Sequence, residues 1–74
     1  MMHGTLARLD YYTKLCENLD WVDVYDNNVN MFVNIGEIVV VLQTGRNFYG
    51  DNVSEVITTA GVRGWLCTYV LFVI

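Results

Sequence analysis

Proline is absent from all 74 residues, which removes a common blocker of sheet edges and a common turn former. Turns must then come from the six glycines and from Asn and Asp. Histidine occurs once, as His3, and cysteine twice, as Cys16 and Cys67. A metal centre needs several convergent His, Cys or carboxylate ligands, and nucleophilic catalysis needs a base beside the thiol or hydroxyl. One histidine near a frayed end and two distant cysteines satisfy neither, so no cofactor, no metal and no enzymatic activity are expected. Gly61-x-x-Gly64 lacks the Lys and the helix that a phosphate loop requires.

Basic residues are also scarce. Arg8, Lys14, Arg46 and Arg63 are scattered along a chain of net charge −4. Binding to a phosphate backbone draws its affinity from a clustered Lys/Arg patch, so nucleic acid is not an expected partner. No apolar run approaches the ~20 residues of a membrane-spanning helix, and MMHGTLARLD lacks the apolar segment and cleavage site of a signal peptide. No membrane association or secretion is expected. Both cysteines then read as free thiols in a reducing compartment, so an intracellular setting is expected.

What the chain does have is apolar surface. Its hydrophobic fraction of 54% exceeds the ~45–50% usual for globular domains. It should fold, as one domain over residues 1–74 with 1–3 frayed, and carry more apolar area than one small core can hide.

Ile38-Val39-Val40-Val41-Leu42 after Gly36-Glu37 is the clearest strand, fit for burial on both faces or for cover by a partner. Val53–Thr59 alternates, Ala60-Gly61 turns, and Arg63–Leu66 returns as a hairpin. Cys67-Thr68-Tyr69 breaks the chain before an apolar closing strand, Val70–Ile74. Met31 and Val33 alternate with polar neighbours. Thr5–Leu9 has two competing readings: a first strand entered from Gly4, or the start of a helix, since Leu6, Leu9, Tyr12, Cys16 and Leu19 approach helical spacing. The strand is preferred, followed by a long loop with one helical turn near Tyr12–Asn18. The expected fold is all-β: a small five-stranded barrel.

Gly64-Trp65-Leu66-Cys67-Thr68-Tyr69-Val70-Leu71-Phe72-Val73-Ile74 resembles the end of a Src-homology-3 (SH3) domain, where Gly, an aromatic and an aliphatic precede Pro, a small residue, Asn, Tyr, Val and a short closing strand. Met31–Glu37 is similar to the diverging turn of that family. The resemblance spans roughly Met31 to Ile74 and implies the SH3-like barrel. Cys67 stands at the Pro of the pattern, Tyr69 at the Asn and Val70 at the Tyr, and no Trp opens the Val53 strand, so it does not imply a proline-peptide groove. The hairpin V-x-T-x-x-G-x-x-GW is a better match to small bacterial and tailed-phage SH3-like proteins, a resemblance that implies the cytoplasm of a bacterium or infected host cell, or a virion, as the setting.

Ten aromatics are too many for such a core, which has room for about four at ~150–250 Å² each. Trp65 reads as core or half-core and Cys67 as a small buried apolar group. Trp21, Tyr25, Phe48 and Tyr49 sit among Asp and Asn in two loop-like segments, Asp20–Asn34 and Gln43–Asn52. Asp20, Asp23 and Asp26 lack the glycine and late Glu of a calcium loop and form a solvated acidic stretch. The expected function is a protein–protein interaction or assembly module. Its binding residues would be Trp21, Tyr25, Phe48 and Tyr49 as anchors, with Asp23 and Asp26 selecting a basic partner. The alternatives are a virion component or homo-oligomer joined through Ile38–Leu42 and Val70–Ile74, and a nucleic-acid-binding barrel, which the charge disfavours.

Overall fold

The structure, a computed structural model, describes residues 4–22 and 29–74, without the side chains of Trp21, Val29 and Asn30. Among the described residues there are seven strands: β1 Thr5–Leu9, β2 Thr13–Cys16, β3 Val29–Val33, β4 Ile38–Arg46, β5 Asn52–Thr58, β6 Arg63–Cys67 and β7 Leu71–Val73. They form one antiparallel sheet in the order β3-β2-β6-β5-β4-β1-β7, curled into a half-barrel that stays open between β3 and β7.

The all-β expectation holds, but the five-stranded closed barrel does not. The two extra strands are β2 and β3, which pair with each other along Thr13–Val33, Lys14–Phe32 and Leu15–Met31. The helical turn expected near Tyr12–Asn18 is extended chain instead, because Leu15 and Cys16 are both buried against neighbouring strands. Helical spacing in this stretch is overridden by cross-strand burial. The short helical element falls one step later, a 3-10 turn at Leu19–Trp21 whose Asp20 N–H donates to Asn18 Oδ1 at 2.8 Å. β4 also runs further than Leu42, to Arg46, bulging between Val41 and Gln43. A second 3-10 turn, Thr68–Val70, separates β6 from β7.

The core follows from alternation. Ala7 and Leu9 of β1, Val39 and Val41 of β4, and Val56 of β5 face inward by register and are buried. Leu66, Leu15 and Val33 complete that side. The Gly64 position allows β2 to approach β6 closely. A Cβ built there would stand 2.7 Å from Leu15 Cβ, so only glycine fits without displacing β2. The β5–β6 turn is organised by buried Thr58, whose Oγ1 accepts from Ala60 N–H at 3.2 Å and Val62 N–H at 3.3 Å. Gly61 takes φ +83 in that turn, a left-handed conformation that side chains resist.

Candidate interaction site

The loop between β4 and β5 is a short, fully tied turn rather than the Gln43–Asn52 segment expected. Asn47 organises it. Its N–H donates to Asp51 C=O and its C=O accepts from Gly50 N–H, both at 3.0 Å. Its Oδ1 accepts from Tyr49 N–H at 3.1 Å and from Asp51 N–H at 2.9 Å. Asn47 is itself buried, and its Nδ2 has no hydrogen-bond partner among the described residues. The two residues this turn carries outward are aromatic: Phe48 is 82% and Tyr49 60% exposed. Their rings meet edge to face at 5.4 Å, a favoured aromatic geometry.

The turn is fastened to the Leu19–Trp21 segment by one bond. Phe48 N–H donates to Asp20 Oδ1 at 2.6 Å, a charge-assisted contact stronger than a neutral one. Asp20 therefore joins the beginning of the acidic stretch to the aromatic turn. Trp21 lies in the same 3-10 turn, while Asp23, Tyr25 and Asp26 lie outside the described residues. Of the six residues expected at the site, Phe48 and Tyr49 are thus adjacent on one turn, with the Trp21 backbone beside it through Asp20.

Arg46 and Asp51, on either side of that turn, line an open groove of about 680 Å³ whose other wall is Cys67, Thr68 and Tyr69. The Thr68–Val70 turn is held against β5 by the hydroxyls of buried Ser54 and Thr68, 2.7 Å apart. Tyr69 is 70% exposed and meets Tyr11 edge to face at 6.0 Å. Tyr12 stacks on Phe32 at 5.6 Å with nearly parallel planes. These four exposed rings were not among the expected site residues. One signal was available: Tyr11 and Tyr12 are consecutive, just past Asp10 and the inward-facing Leu9, and neighbouring residues of an extended chain cannot both enter one core.

The chemistry of the groove is mixed and modest. It presents the Arg46 guanidinium, the Asp51 carboxylate, the Asn52 carboxamide, the hydroxyls of Thr44 and Thr68 and the Tyr69 phenol, and Cys67 in its wall is a buried cysteine outside any disulfide, as is Cys16. Among the described residues no group of three or more His, Cys, Asp or Glu side chains could hold a metal ion, and no helix is long and apolar enough to cross a membrane. Arg8 and Arg63 each face a carboxylate, Asp10 at 3.4 Å and Glu55 at 3.5 Å. Compared with protein-family models, curated proteins and solved structures, the chain matches none.

Proposed function

We propose that the chain is a non-enzymatic protein-interaction or assembly module on an SH3-like scaffold, phage- or bacterium-encoded and acting in the cytoplasm or a virion. The scaffold reading is supported by the curled sheet of short strands, the tight hairpin leading into Gly64-Trp65, and a closing strand after a one-turn break. Its partner is an extended protein segment with an apolar anchor and a basic residue. The observation that carries this reading is the pre-tied turn that displays Phe48 and Tyr49 between Arg46 and Asp51, two residues lining a groove whose far wall holds Tyr69. Aromatic anchors on a turn already ordered bind without a large ordering cost. Asp51 in the lining and the net charge of −4 favour a cationic partner. Trp21, Asp23, Tyr25 and Asp26 are proposed as further partner-binding residues.

A random-peptide display selection on the immobilised chain tests this. Enriched peptides should carry Lys or Arg beside an aromatic or aliphatic residue. The double variant Phe48→Ala/Tyr69→Ala should weaken their binding at least about 100-fold, in keeping with two anchors at ~1.4 kcal/mol or more each. Its thermal melt should stay unchanged, because both rings are exposed. No enrichment, or binding indifferent to the double variant, sinks the reading.

A further inference from the structure

The half-barrel has an outer surface as well as a core, and around β4, β1 and β7 that surface is apolar. Register places Leu6 opposite Val40, and Val40 opposite Ile57. Ile74 N–H donates to Leu6 C=O at 3.2 Å, which brings Ile74 into the same cross-strand row. The next row sets Ile38, Arg8 and Phe72 side by side. All of these alternate with inward Ala7, Leu9 and Val39 and therefore point outward. Leu6 is 51%, Phe72 52% and Ile74 68% exposed.

We infer that this outer face binds a second copy of the chain, face to face, across a two-fold axis. Three observations favour a copy over another occupant. The first is area. The bare side chains of these two rows amount to on the order of 500–600 Å² per copy, so a pair hides about 1,000–1,200 Å², the lower bound for a specific interface. The second is charge. The charges on the β1 part of this face are Arg8 and its neighbour Asp10, 3.4 Å apart, with Arg8 also lying over the Phe72 ring at 4.8 Å. A copy turned end for end sets Arg8 against the other copy's Asp10 and Asp10 against its Arg8, the self-complementarity a two-fold contact demands. The third is the boundary. On β5 and β6 the apolar rows stop at Glu55 and Arg63, paired with each other, which gives the face a polar rim of the kind interfaces carry.

Area alone does not fix affinity, but a contact at the low end of interface sizes is expected to be weak, with a dissociation constant on the order of 10–100 µM, so the mass should depend on concentration. Sedimentation equilibrium should show the average rising from 8.5 kDa toward twice that value over this range. Leu6→Glu buries two unpaired charges at the seam and should abolish the rise, while Phe48→Ser, on the other surface, should leave it intact. A wild-type chain that stays monomeric to about ten times the expected dissociation constant overturns the inference, as does association that survives Leu6→Glu. Should Leu6→Glu fail to fold, a concentration series of amide spectra on the wild-type chain decides. Shifts at Leu6, Val40, Ile57 and Phe72 support the face, whereas shifts confined to residues 47–51 refute it. Concentration-dependent protection of the Val73 amide would mean edge-to-edge pairing through β7 and would refute it too.

Discussion

Two outward-facing regions of the same sheet have opposite fates. On β5 and β6, Val53 and Cys67 are register partners on the face opposite Ser54, Val56 and Leu66, yet both are buried. Cys16, paired with Trp65 on that side, is buried as well. The Leu19–Val22 segment, fastened to the Phe48 amide through Asp20, contributes Leu19 and Val22 to the same apolar cluster. On β1, β4 and β7, Leu6, Phe72 and Ile74 face outward with equal apolar character and stay bare. Strand alternation is the same in both places. The difference coincides with the Leu19–Val22 segment, which shares an apolar cluster with Val53, Cys67 and Cys16 and is bonded to the β4–β5 turn through Asp20.

The comparison breaks most severely at Gly64. Gly64→Val puts side-chain atoms where Leu15 already stands, so β2 must leave β6. The expected cost is about 3 kcal/mol or more, a large share of what a domain this small possesses. Chemical denaturation should show a much lower midpoint, and an unchanged midpoint would mean β2 is not packed there. Asp20→Ala acts on the tie alone. It should cost about 1.5 kcal/mol, the low end of the range for a hydrogen bond to a charged group. More tellingly, it should expose the covered side. Thiol labelling of Cys16 and Cys67 under native conditions should accelerate about tenfold, as expected if local opening becomes easier by ~1.4 kcal/mol, and labelling at the wild-type rate would show that the segment covers nothing. Leu6→Ser touches only the bare region. In dilute solution its midpoint should move by no more than about 0.5 kcal/mol, and a larger loss would place Leu6 in the core.

How much of this was legible in the sequence differs by element. The aliphatic run Ile38–Leu42, the alternation from Val53, and the turn before Gly64-Trp65 each carry a strong local signal, and each forms the expected strand or hairpin. β2 carries none. Thr13-Lys14-Leu15-Cys16 is four residues long, and its extended form depends on β3 and β6, which come later in the chain. Missing β2 also meant missing the seven-strand count and the open half-barrel. At the site, Phe48 and Tyr49 stood out because aromatics in a polar turn have no core to enter. The bond from Phe48 to Asp20 joins residues 28 positions apart, a pairing that local reading has no means to see. Tyr69 was hidden for a different reason: in an apolar closing segment its outward direction is set by the Thr68–Val70 turn, not by strand alternation.

The seam between β2 and β6 has a consequence for motion. It consists of the single register pair Cys16–Trp65, whereas β4 and β5 are matched from Val39–Thr58 to Arg46–Asn52. A sheet joined so unevenly does not loosen uniformly. The β2–β3 hairpin should open as one unit while the β4–β5–β6 meander stays closed, at a free energy below that of global unfolding. Native-state hydrogen exchange would then find Leu15 and Met31 amides exchanging before Val41 and Val56, and equal protection across the sheet would exclude such a hinge. The molecule would thus carry its own slow breathing mode, centred on the one place where a glycine lets two strands touch.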